Sequence, residues 1–207
     1  MHPNPAFRGQ PETEAAAMAR HRGFGVLTAS TAEGPLAAHV PFLLAEDATA
    51  LEAHLVRSNP LARALRDGPL PAMMIVSGAD AYVSPDWYGE DDKVPTWNYV
   101  AVHVRGTLAL STMDLRGHLD RVSAHFEGQL AGKTPWKTDK MSADALQKMM
   151  RQILPVEMRV DSIASTVKLN QNRSDAARHG AAAAIAAGGT PGLQTVEIAA
   201  MMRALDD

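Results

Sequence analysis

Helical periodicity and strand alternation follow one another in blocks along this chain. The first block is helical: Pro11 suits a first turn, Glu12 and Glu14 follow, and Gly23 closes a helix predicted over 11–22. Strand texture comes next. Apolar runs at 24–30, 36–44 and 50–56, parted by Ala32-Glu33-Gly34-Pro35 and by Asp47-Ala48, predict three short strands. Ser58-Asn59-Pro60 reads as a helix start, with Asn59 as cap, Pro60 in the first helical position and an end near Gly68. Residues 71–77 form another apolar strand, with 79–84 extending the sheet beyond a bend at Gly78. The longest strand signal runs from Trp97 to Leu110. Val100, Val102 and Val104 take one side, Tyr99, Ala101, His103 and Arg105 the other, and Gly106 reads as a bulge.

The pattern then turns helical again. Leu115, Leu119, Val122 and Phe126 recur at three- and four-residue spacing, and Ser142 caps a helix carrying Leu146, Met149, Met150 and Ile153 on one face. Val156, Met158 and Val160 alternate with Glu157, Arg159 and Asp161 in a last, half-exposed strand. Beyond the polar segment 168–173, an Ala-rich helical tail begins at Ser174 and breaks at 188–192. Sheet first, two helices inserted at about 113–153 and a helical tail from about 174 to 207 predict one α+β domain. Its sheet should be antiparallel, an open sheet or a barrel.

Composition narrows the chemistry. A net charge of −3 over 207 residues gives no global attraction to nucleic acid, although a local basic patch stays open. Cysteine is absent, which removes disulfides, thiolate metal sites and Cys nucleophiles, and fits a cytoplasmic location. The N-terminus has no positive region followed by an apolar run, so no signal peptide is expected. No apolar stretch is long enough to predict a membrane span. GxGxxG, P-loop, GxSxG and HExxH patterns are missing, so no catalytic residue and no metal site are assigned.

Two of the three Trp and all three Tyr fall within 82–99, a cluster that suits either a hairpin core or a platform for a planar ligand. His54, Arg57, Ser58 and Asn59 gather where a strand runs into a helix start. They form either an ordinary cap or a phosphate site. His39 lies mid-strand among apolar neighbours and reads as structural. His103 and Arg105 share a strand face with Tyr99, either exposed or walling a polar pocket. Lys168, Gln171, Asn172 and Arg173 read as a solvated loop or as hydrogen-bonding contacts to a heterocycle. His118 and His125, on one helix, read as packing or surface.

Seven segments taken in order resemble the PaiB-type family of FMN-binding negative transcriptional regulators, which are split-barrel flavoproteins. They are His2–Phe7, Ala38–Phe42, His54–Pro60, Ala81–Tyr88, Val94–Tyr99, Pro135-Trp136 and Lys168–Arg173. The resemblance covers nearly the whole chain. It implies a six-stranded split β-barrel that forms a homodimer with FMN at the subunit interface. The strand carrying His39, Val40 and Pro41 would lie along the isoalloxazine. Arg57, Ser58 and Asn59, beside His54, would hold the phosphate. Trp97 and Asn98 would close the pocket together with Lys168, Gln171, Asn172 and Arg173, the latter four from the second subunit. Regulation would run through the flavin or a protein partner, because no helix-turn-helix with a basic recognition helix is present. Two other activities fit such a barrel: a flavin-dependent oxidoreductase of the flavin reductase kind, and heme binding through His39 or His103. The resemblance departs at Leu61-Ala62, where relatives carry a bulky aromatic. It also departs at Asn59, where split-barrel enzymes acting on pyridoxal phosphate carry a second basic residue, and weak FMN binding is the expectation that follows.

Overall fold

Alternation and turn chemistry produce the strands where they were expected. The computed structural model describes residues Met1–Arg8 and Pro11–Asp206. Helix α1 (Glu12–Arg22) stops at Gly23, whose φ of +57° few other residues adopt without strain. Strands β1 (Phe24–Thr31), β2 (Gly34–Leu44) and β3 (Ala50–Val56) follow as antiparallel neighbours, with Val26 opposite His39 and Phe42 opposite Ala53. After α2 (Pro60–Ala64) come β4 (Leu70–Val83) and β5 (Thr96–Leu110). Then come α3 (Leu115–Glu127), α4 (Ala143–Met150), β6 (Ile153–Lys168), α5 (Asp175–Ala186) and α6 (Thr195–Arg203). The six strands form an antiparallel ring in the hydrogen-bonded order β1-β2-β3-β6-β5-β4.

The chain divides into two compact units. One comprises Ala16–Ile75 and Val104–Ile163; the other comprises Met1–Ala15, Val76–His103 and Ala164–Asp207. Each has its own core. In the first, Leu27, Phe42, Leu51, Leu55, Leu61 and Met158 are among the fully buried side chains; in the second, Val102, Ile185, Ile198 and Met202 are. Val100 and Val102 are buried as the period of two requires, and so is Val104.

Several boundaries differ from the sequence reading. Helix α2 ends at Ala64 rather than near Gly68, and β4 runs unbroken through Gly78. β5 runs on through Gly106, where the glycine serves a close backbone approach: a Cβ there would lie 1.9 Å from the Arg159 carbonyl oxygen. Ile153 opens β6 instead of closing α4's apolar face, and β6 continues past Asp161 to Lys168, the first residue of the polar segment. The aromatic cluster is not a buried hairpin core. Tyr88 alone of its rings is buried, while Tyr82 and Trp97 meet edge to face 6.2 Å apart with Trp97 exposed.

Candidate functional site

In the first unit, alternation on β2 and β3 sets one row of side chains inward and the other outward. His39 is exposed and Pro41 half-buried on the outward row, whereas the Val40 side chain is buried, so only its backbone can meet a ligand. Glu52, His54 and Val56 are the outward row of β3. The chain then turns into α2. Asn59 Oδ1 accepts from the Leu61 amide at 2.9 Å, so this side chain is a helix cap. Arg57 is exposed, its backbone amide bonded to the Gln152 carbonyl at 2.9 Å and its Nε donating to the Arg151 carbonyl at 2.6 Å. That anchor orients the guanidinium and leaves its terminal nitrogens without a hydrogen bond among the described residues. Ser58 is exposed beside it.

His54 carries a connection the sequence did not reveal. Its Nδ1 lies 3.2 Å from His118 Nε2, His118 Nδ1 lies 3.2 Å from Glu52 Oε2, and Arg121 donates to the same Glu52 oxygen at 2.6 Å. His118 sits three residues after Leu115 and four before Val122, on the inward face of α3, and is fully buried. That helix-face spacing was the available signal. Burial lowers the His118 proton affinity and outweighs the raising effect of Glu52. Burial, then the charge of His118, lowers that of His54. Burial pushes the Glu52 carboxyl up, but the bonds from Arg121 and His118 together hold it below its ordinary range.

These shifts carry a sign for stability. On acidification the unfolded chain protonates its histidines near the ordinary value of 6.5, before the folded chain does. The pair's contribution is therefore intact above that value and lost as pH falls below it toward the lowered folded values. The melting temperature should fall between about pH 7 and about pH 5. His118→Asn should lower it throughout yet flatten that dependence; an unchanged slope in scanning calorimetry would refute the assignment.

The second unit gathers the other predicted residues. Trp97 is exposed on β5, while Asn98 is fully buried, its Nδ2 3.3 Å from the Met202 sulfur and its Oδ1 without a partner among the described residues. The Asn98 side chain therefore has no surface to offer a ligand. Lys168 Nζ bonds to Thr96 Oγ1 and stands 5.7 Å from the centroid of the Phe7 ring. The Arg173 guanidinium lies 5.1 Å from the Tyr88 ring centroid, and the Tyr88 hydroxyl accepts from Asn170 Nδ2 at 3.3 Å. Burial and then the positive charge of Arg173 lower the Lys168 proton affinity. Among the described residues neither cation has a carboxylate in ion-pair contact. Gln171 is committed to the backbone, accepting from the Leu169 amide at 2.7 Å and donating to the Val167 and Ala6 carbonyls at 2.6 and 3.1 Å. Asn172 is exposed. Phe7, Thr96, Tyr88 and Asn170 are the contacts missed; Asn170 adopts a left-handed φ of 62°, which strand alternation does not signal.

A six-stranded antiparallel ring with added helices is the fold of split-barrel flavin- and heme-binding proteins. The FAD and heme binding protein from Mycobacterium smegmatis superposes with a TM-score of 0.57 at 17% identity, covering 90% of this chain and 83% of that one. The flavocytochrome Anf3 from Azotobacter vinelandii superposes at 0.52 with 10% identity, over 81% and 72%. At such identities the likeness is one of fold. The family is given by sequence: a model described as "Putative FMN-binding domain" matches residues 1–162, and the chain belongs to that family. A curated relative, the protease synthase and sporulation protein PAI 2 of Bacillus subtilis, is 28% identical over 159 residues, 75% of each chain. An uncharacterized protein of Saccharomyces cerevisiae, YKL070W, is 35% identical over 95 residues, 41% of this chain and 56% of its own.

Proposed function

We propose that this protein binds FMN as a homodimer and acts as a negative regulator of the PaiB type. The observation that carries the FMN reading is the Arg57 fork, anchored through Nε with its terminal donors uncommitted, at the strand-to-helix turn of a chain from an FMN-binding family. Ser58 adds a hydroxyl to that phosphate cradle, and Asn59 contributes the ordered turn rather than a contact. His39, Pro41 and the Val40 backbone form the strand surface for the ring. Lys168 and Arg173, neither in ion-pair contact with a carboxylate among the described residues, make a second surface suited to phosphate or to the ring's carbonyl edge, with Asn172 exposed beside Arg173 in sequence and Trp97 exposed beside Thr96, which Lys168 contacts. FMN when bound supplies redox chemistry and a chromophore; the chain supplies binding and orientation. The regulatory role is supported by kinship to the B. subtilis sporulation protein.

The test is an absorbance spectrum of the purified protein followed by FMN titration. Arg57→Ala removes one charge-assisted contact worth about 1.5–3 kcal/mol, so the dissociation constant should rise roughly 10- to 150-fold. Full affinity in Arg57→Ala with loss in Lys168→Ala would move the phosphate to the second surface. A wild-type protein that ignores FMN would refute the reading.

A further inference from the structure

The buried histidine pair has a direction built into it. Glu52 is ionised and engaged by Arg121, so it can only accept, and His118 Nδ1 must donate to it. A neutral His118 then has its lone pair on Nε2, which requires His54 Nδ1 to donate. The remaining ring nitrogen, His54 Nε2, is left with a bare lone pair and makes no hydrogen bond among the described residues. We propose that His54 is a proton acceptor on the outward face of β3, aimed by His118 and Glu52 as positioning residues and wired through them to solvent. It rests on the flavin reading only for the identity of the group served.

The relay conserves protons at each hop. A donor's X–H bond breaks as the His54 Nε2–H bond forms. The His54 Nδ1–H breaks as the His118 Nε2–H forms. The His118 Nδ1–H breaks as an O–H forms on Glu52, whose side chain is 30% exposed and can release the proton to water, while His118 is 0% exposed. The reverse sequence delivers a proton to the same face. Such a path suits a ligand that gains or loses protons as its charge changes. The titratable and charged groups around the relay are few. Glu52 shares β3 with His54, and His118 and Arg121 come from α3. From β6, Pro155 faces His54 and Glu157 faces Glu52; from β2, Leu43 faces Glu52. The fully buried His118 gives the relay a rigid middle, which a pair of surface imidazoles would lack.

The tautomers can be read directly by long-range proton–nitrogen NMR on the labelled, cofactor-free protein. At neutral pH both His54 and His118 should be neutral Nδ1–H tautomers. In Glu52→Gln the amide can donate as well as accept, so the His54 Nδ1–H preference should be lost while the side chain keeps its shape. In His118→Asn the His54 proton affinity should rise toward the ordinary value. A cationic His118, an Nε2–H tautomer at His54 in the wild type, or a Glu52→Gln spectrum identical to wild type would overturn the proposal. FMN titration of the same samples keeps the two readings apart. Correct tautomers without FMN binding would sink the flavin reading and leave the relay. FMN binding with the wrong tautomers would do the opposite.

Discussion

Gly106→Ala should destabilise the fold by about 3 kcal/mol or more, lowering the melting temperature by roughly 6–12 °C. The reason is space rather than backbone conformation. A Cβ on Gly106 would stand 1.9 Å from the Arg159 carbonyl oxygen, 2.9 Å from its carbon and 3.0 Å from Met158 Cγ. A flexible side chain could swing away from such a contact; a carbonyl within a sheet cannot. Arg159 is also held from the far side, opposite Ala50 on β3, and its neighbour Met158 is fully buried opposite Leu51. β6 can therefore retreat from an alanine only by straining its ladder with β3 or by lifting Met158 from the core. Both routes cost packing that a close-packed interior does not recover. Thermal unfolding of the purified variant measures this, and a melting temperature within about 2 °C of wild type would show that β5 and β6 do not approach this closely.

The strands were legible because their burial is one-sided. Val100 and Val102 alternate with partly exposed neighbours, and the caps at Asn59, Ser142 and Ser174 fall where short polar side chains precede apolar runs. What escaped was structure whose partners are polar. The strand reading stopped at Asp161 because the second half of β6 buries hydroxyls, Ser165 and Thr166, in place of an apolar alternation; the Thr166 hydroxyl accepts from the His2 amide, a contact 164 residues away in sequence. The candidate site divides in the same way. Arg57 and Asn59 were readable from local chemistry, since a strand end followed by Asn-Pro announces its own cap. That Asn98 turns inward against Met202, and that Gln171 is consumed by three backbone groups, depends on chain brought from elsewhere. The histidine relay is the clearest case. Its members lie 64 and 66 residues apart, and no spacing rule links a strand residue to a helix that distant.

Arg178→Ala is expected to be the other severe change, at about 3–5 kcal/mol. Arg178 on α5 is 4% exposed, donates from Nε to the Met202 carbonyl at 3.0 Å, and donates from a terminal nitrogen to Asp175 at 2.8 Å. Met202 lies in the last turn of α6, where carbonyls have no partner within the helix, so the arginine satisfies a group that would otherwise be orphaned. Asp175 is 79% exposed and hydrates freely once its partner is gone, so the ion pair itself contributes little. Most of the loss should come from the stranded carbonyl and from the space vacated between α5 and α6. Three variants separate these terms. Asp175→Ala should cost no more than about 1 kcal/mol. Arg178→Met, which keeps the bulk but donates nothing, should cost about 1–3 kcal/mol. Arg178→Ala should exceed both and lower the melting temperature by roughly 6–20 °C. If Asp175→Ala proved as damaging as Arg178→Ala, the arginine would be acting through its ion pair, and the account of α6 held by a carbonyl clasp would fail.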